Sequence, residues 1–196
     1  EIAYQPSKLV RTDVALSVGS WKYTDDVSGR YTNFAEDGTR EEQSFDYYIK
    51  DLKVGDAPQT QLALGVSLFP IEGLRSQLVY KFYGSHYSEW SPFSRTDAND
   101  RVQSWQIPNA SVMDLHLGYN LPVRLAGTKL RLNGHIFNLF DSTYIMEAED
   151  NSRYNALKID LDGDGERELV DPHGAASAEV FYGMPRRINM SLSVVF

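Results

Sequence analysis

Cysteine is absent from the 196 residues, which removes disulfides, thiolate metal sites and cysteine nucleophiles together. No apolar run approaches the ~18 residues that a membrane-crossing helix needs, so a helical span is excluded. Basic charge is scarce. The 19 Lys and Arg stand against 27 Asp and Glu, a formal net charge of −8 with a pI near 5.0. Nothing basic clusters along the chain to neutralise phosphates, which argues against a nucleic-acid partner. Helical spacing of apolar residues is missing throughout. None of these absences excludes a membrane, because a transmembrane barrel hides its apolar band in every second residue.

What the chain does contain is alternation. "VRTDVALSVGSW" puts Val10, Val14, Leu16 and Val18 on one parity and Arg11, Asp13, Ala15 and Ser17 on the other. "QLALGVSL" (61–68), "LRSQLVYKFY" (74–83), "MDLHLGYN" (113–120) and "KLRLNGHIF" (129–137) repeat the pattern, as does the closing "RRINMSLSVVF" (186–196). A period of two is a strand with two different faces. With a stub at Ile2–Tyr4, which reads as a chain already inside a strand and hence as a piece of something longer, seven strands are expected.

The connections alternate too. Short turns are expected at 5–8, 69–73 and 120–128, and long polar stretches fill 24–58, 87–106 and 140–178. Compact soluble domains keep most loops short at both ends. Outer-membrane barrels have tight turns on one side and long loops on the other. A soluble antiparallel sandwich with one wet face explains the alternation equally well. It leaves the loop sorting unexplained, along with the mid-strand charges Arg11, Asp13, Arg75, Lys81 and Arg131 on a single parity.

Two stretches carry a resemblance. "NGHIFNLFDSTY" (133–144), then a long loop and "FYGMPRRINMSLSVVF" (181–196), resembles the C-terminal signature of TonB-dependent outer-membrane receptors. In that family a penultimate strand ends in N-L-F-D-x-x-Y, and a final strand opens with Gly-x-Pro-Arg and closes in Phe. "WQIPNASVMDLHLGYNLP" (105–122) is similar to the strand preceding them. "YYIKDLKVGDAPQTQLALGVSLFP" (47–70) looks most like the receptors of Bacteroidetes, including SusC-like glycan importers.

The resemblance implies an all-β fold, an antiparallel transmembrane β-barrel in the bacterial outer membrane. Residues 1–196 would supply about seven C-terminal strands of a barrel of about 22, without the plug domain, and 140–178 a long acidic extracellular loop. It implies transport and not catalysis: import of a bulky scarce nutrient, such as a glycan, siderophore or cobalamin-like ligand, with TonB-coupled energy. The implied partners are the lipid bilayer, the N-terminal remainder of the receptor, TonB through that remainder, and a surface lipoprotein. Phe196 would be the assembly signal read by the barrel assembly machinery. Rival readings are an outer-membrane barrel enzyme such as a lipase, for which no serine nucleophile motif is present, and a structural β-domain.

Three sets of residues invite chemistry. Aromatics near the expected outer rim (Trp21, Tyr23, Tyr47, Tyr48, Tyr87 and Trp90) suit sugar rings or an aromatic chelate, though an interfacial aromatic belt uses the same residue types. His116 and His135 share the polar parity on neighbouring strands, and a turn centred near residue 124 would set His135 opposite Asp114, which reads as a structural polar ladder. His86 and His173 carry no signal as single loop histidines. The 140–178 loop holds ten acidic and three basic residues, a net −7 of the chain's −8. Within it "DLDGDGERELVD" spaces Asp160, Asp162, Asp164, Glu166 and Asp171 as positions 1, 3, 5, 7 and 12 of an EF-hand-type loop, with Gly165 at 6. That spacing points to Ca²⁺. Asp in place of Glu at position 12 suggests weak binding.

Overall fold

The computed structural model describes residues 1–125, 127–160 and 163–195, and of Arg124, Leu125, Leu169 and Val195 the backbone alone. In chain order, β1 (Ile2–Ser7) and β2 (Val10–Val18) are followed by a side hairpin, β3 (Val27–Phe34) and β4 (Arg40–Tyr47). Next come β5 (Thr60–Leu68), β6 (Leu74–Gly84) and a minimal pair, β7 (His86–Tyr87) and β8 (Gln106–Ile107). After β9 (Ala110–Leu125) and β10 (Thr128–Phe137), the longest connection holds β11 (Ile145–Asp150), the helical turn α1 (Ser152–Asn155), β12 (Leu157–Ile159), β13 (Glu168–Val170) and β14 (Ala178–Tyr182). The last strand is β15 (Arg187–Val195). The chain is all-β.

One sheet organises the molecule, in the order β1-β2-β5-β6-β9-β10-β15, every neighbouring pair antiparallel. Spatial order therefore follows chain order, with side hairpins hung between strands. The sheet is open, with β1 and β15 at its ends. All seven strands contain the alternating segments, but β1 runs through most of the expected turn at 5–8 to Ser7, and β9 through most of the expected turn at 120–128 to Leu125. The eight strands inside the long connections lie outside the expected seven. Two residues, 126 and 127, separate β9 from β10, with Gly127 at φ 85°, a backbone that glycine adopts without strain. The long connections, 19–59, 85–109 and 138–186, all leave the same end of the sheet.

Register carries the alternation across the strands. One row reads Val14, Leu64, Tyr80 and Met113; another reads Thr12, Val66, Leu78, Leu115, Ile136 and Ile188. The row on the opposite face, one residue along, reads Arg11, Ser67, Gln77, His116, His135 and Asn189. The apolar face is bare: Leu16 is 62% exposed, Leu192 59% and Met190 74%. The polar face carries matched ions, Arg11 on Asp13 at 2.6 Å and Lys81 on Asp114 at 2.7 Å.

The expected pairing of His135 with Asp114 does not occur. The turn is tighter than a centre near 124 would make it, and an irregularity between Lys129 and Arg131 shifts the ladder, so His135 faces His116. Their Nδ1 atoms lie 2.9 Å apart, and Asp114 is taken by Lys81 and by the backbone N–H of Asn138.

The two stretches that carry the resemblance form one clasp. Asn138, in the left-handed region at φ 50°, donates from Nδ2 to the carbonyls of Ser142 (2.9 Å) and Met184 (3.1 Å) and accepts from the N–H of Ser142. Asp141 accepts from the N–H of Arg186 at 2.7 Å. The Tyr144 ring occupies the space a side chain on Gly183 would need, and the N–H of Gly183 donates to the Tyr144 carbonyl at 2.9 Å. The spacing N-L-F-D-x-x-Y with G-x-P-R is thus a device that ties the end of β10 to the start of β15.

Candidate functional site

The buried interior lies in the long connections, which fold against one another at one end of the sheet. Ile49, Leu52, Ile107 and Ala148 are each at most 2% exposed and come from all three connections. Backbone bonds sew them together: Tyr48 N–H to the Arg95 carbonyl (2.9 Å), Glu89 N–H to Ala148 (2.8 Å) and Asp150 N–H to Glu89 (2.8 Å). Gln103 accepts from the N–H of Lys53 at 2.7 Å and donates to the carbonyl of Asp51 at 3.2 Å. The connections form a cap with its own core.

Three of the six expected aromatics come together on this cap. Trp90 meets Tyr23 edge-on at 6.1 Å between centroids and Tyr47 at 5.7 Å. The row continues along the β3–β4 hairpin through Phe45 to Tyr31, at 6.4 and 5.1 Å with near-parallel rings. Phe45 and Tyr31 were not singled out from sequence; their alternation with Tyr47 across the hairpin is the signal that would have found them. Gly29, opposite Phe45, leaves room for the Tyr47 ring. The row carries polar groups along its length. Tyr23 donates to Glu89 Oε1 at 3.2 Å, and Tyr31 to Gln43 Oε1 at 2.6 Å. Burial, and then the nearby charge of Asp56, raises the pKa of Glu89 above the ordinary carboxylate range.

The other three aromatics lie elsewhere. Tyr48 sits beneath the Arg101 guanidinium (5.2 Å), itself held by Asp26 at 2.7 and 2.9 Å. Trp21 packs over Gly19, and Tyr87 pairs with Gln106 across β7 and β8.

The acidic turn opens on a hairpin. Ile159 pairs with Glu168, and Leu157 with Val170, which leaves Asp160, Asp164 and Glu166 at the tip. The same register sets Asp171 four residues along from Asp160, about 14 Å at ~3.4 Å per strand residue. Asp160 accepts backbone N–H groups from Gly163 (2.6 Å) and Gly165 (3.0 Å), and Asp164 from Glu166 (2.8 Å). Asp162 lies outside the described residues, as does Phe196. Among the described residues no group of three or more His, Asp or Glu side chains is arranged to hold a metal ion.

The residues that sequence reading passed over lie deepest in the cap. His173, treated as a lone loop histidine, is buried between two carboxylates, with Nδ1 2.6 Å from Asp150 Oδ2 and Nε2 2.5 Å from Asp100 Oδ2. Only an imidazolium has N–H groups on both nitrogens. Burial opposes that charge, but the bonds to Asp150 and Asp100 outweigh it and raise the His173 pKa. Asp150 is likewise disfavoured by burial, yet His173, Ser152 and Ser94 hold it well below the ordinary carboxylate range. Arg95, fully buried, donates to the Val102 carbonyl (2.7 Å) and faces Asp100 (3.4 Å). Two cations and two carboxylates thus close a neutral quartet. Ser152 Oγ lies 3.4 Å from His173 Nδ1, which brings Ser, His and Asp together. But Ser152 is only 1% exposed, and both ring nitrogens are engaged, so the set has no solvent-facing nucleophile. Its chemistry is cohesion.

No protein-family model and no curated protein matches the chain.

Proposed function

We propose that the chain is the C-terminal part of the β-barrel of a TonB-dependent outer-membrane receptor. Its apolar face meets lipid, its polar face lines the lumen, and its cap faces outward to take up a bulky scarce nutrient. The observation that carries the reading is the bare apolar face, continuous from β2 to β15. Soluble proteins rarely leave contiguous apolar patches beyond a few hundred Å², and lipid gives such a face a favourable environment. Strand length agrees: β2, β5, β6, β9, β10 and β15 have 9 to 16 residues, where a tilted strand needs about 9–11 to cross the hydrocarbon. Open edges are not tolerated in hydrocarbon, so the reading requires further strands, about 22 in all by the resemblance. TonB coupling, a surface lipoprotein partner and a Bacteroidetes-type glycan receptor belong to the same proposal on the same resemblance.

The aromatic row from Trp90 to Tyr31 is the candidate ligand surface, bordered by Glu89 and Gln43. Calcium ordering of the 160–171 turn belongs to the proposal through its spacing alone.

The test substitutes Arg on each parity in turn. Leu64→Arg or Leu78→Arg costs about 2–4 kcal/mol of stability in bilayers near the midplane, while Gln77→Arg or Asn133→Arg is tolerated. Equal damage on both faces, or a full-length protein that stays folded and monodisperse without detergent, overturns the membrane reading.

A further inference from the structure

In sequence nothing basic clusters, but the sheet brings cations together at the short-turn end of its polar face. Arg75 on β6 stands opposite Gly118 on β9, and Gly118 stands opposite Asn133 on β10. Arg131, two residues before Asn133, reaches back over Gly118: its Nη2 lies 3.5 Å from where a Cβ on residue 118 would be. The missing side chain leaves room for the Arg131 guanidinium on the strand next to that of Arg75, and both arginines line the same space. They border two adjoining cavities. The larger, about 590 Å³, is also lined by Lys8, and the smaller, about 160 Å³, by His116 and His135.

Of the other strand cations of this face, Arg11 is held by Asp13 and Lys81 by Asp114, and Arg187 lies over the Phe137 ring. Arg75 and Arg131 have no carboxylate within ion-pair distance among the described residues. Among the described residues Arg75 donates only to the neutral Gln77 Oε1, at 3.2 Å. Asp13, which feels the Arg75 charge, is held bidentately by Arg11. Glu72 is the one acid lining the larger cavity, against three cations. Two such groups with planar donor forks, left unmatched in a chain of net charge −8, are suited to an oxyanion.

We propose that this basin binds a small solute through a carboxylate or phosphate group, gripped by Arg75 and Arg131, with His116 and His135 lining the smaller cavity beside it. The site is separate from the aromatic row, which lies on the cap at the opposite end of the strands. It stands whatever covers the apolar face.

The experiment is calorimetric titration of the purified full-length protein in detergent. Citrate is the carboxylate probe, pyrophosphate the phosphate probe and sucrose the uncharged control. At least one anion binds, sucrose does not, and affinity falls as salt rises. Arg75→Gln and Arg131→Gln each weaken binding about tenfold or more, and Arg75→Lys less, because it keeps the charge and loses the fork. Both arginines are exposed and in no ion pair, so the melting temperature of each variant stays at the parent value and separates lost binding from lost fold. The proposal is overturned if neither anion binds at about 10 mM, or if the double Gln variant binds as the parent does. Binding of an Asp-rich peptide without either small anion overturns it in favour of a polypeptide partner.

Discussion

Replacing His173 by Leu tests the cohesion of the cap. Leu restores most of the buried volume but removes the imidazolium, leaving Asp150 and Asp100 without their common counter-charge. Breaking a buried ion pair from one side costs about 3–5 kcal/mol. Asp150 keeps Ser94 Oγ at 2.6 Å and the N–H of Ser152 at 3.0 Å, and Asp100 keeps Arg95. The cost therefore falls near the lower bound, about 3 kcal/mol, or roughly a hundredfold in the opening equilibrium of the cap. The pH dependence has two limbs. His173 is raised, so its contribution is complete below the ordinary histidine value of 6.5 and is lost as pH climbs through the raised value. Asp150 is lowered, so its contribution is complete above the ordinary value of 3.8 and fades as pH falls toward the lowered one. Cap protection is therefore greatest between about pH 4 and 6.5 and declines on the alkaline side. Hydrogen exchange of 88–107 and 146–180, corrected for intrinsic rates, reads both effects. His173→Leu lowers protection and flattens the alkaline limb, and a further Asp150→Asn recovers part of the loss by removing the stranded charge. A His173→Leu cap as protected as the parent, or parental protection that rises between pH 7 and 9, would refute the quartet.

Further outcomes follow from the proposed receptor reading. Trp90→Ala and Tyr47→Ala each weaken nutrient capture about tenfold, a loss of 1–2 kcal/mol of ring contact, and leave surface abundance unchanged; equal uptake in both variants removes the row as the ligand surface. Phe196→Asp lowers the amount of assembled barrel at the cell surface without altering affinity in the molecules that do assemble, and normal surface levels count against an assembly signal. Calcium at about 1 mM, the range of weak extracellular loops, protects the 160–171 turn from protease, and Asp162→Ala with Asp164→Ala abolishes the protection; cleavage indifferent to calcium leaves an ordinary acidic turn.

What could be read from the residues in order was what repeats. Leu62, Leu64, Val66 and Leu68 announce a two-faced strand because each occupies a fixed phase, and the unequal connections between such segments predict which end of the sheet carries the bulk. Register was less legible. The turn closes at 126–127 and not near 124, and an irregularity after Lys129 recovers only part of the difference, so His135 meets His116 and not Asp114; no periodic pattern records a bulge. The quartet was invisible for a different reason. Asp100, Asp150 and His173 are separated by 50 and 23 residues, within segments of no period, and only the folded cap brings them together. The Arg75–Arg131 basin was hidden in the same way, by two strands that join side chains 56 positions apart.

The clasp of Asn138, Asp141 and Tyr144 on residues 183–186 changes what the longest connection can be. Once its two ends are tied, the strands beneath no longer sense what lies between them. Lengthening a closed segment costs little, about 0.6 kcal/mol per doubling, and here even that cost falls on the segment and not on the register of β10 with β15. For the sheet, residues 145–182 are therefore replaceable, although the cap would lose Ala148, Asp150 and His173 with them. Insertions or deletions there leave the pairing of β10 with β15 in place, provided the clasp residues and Gly183 are kept.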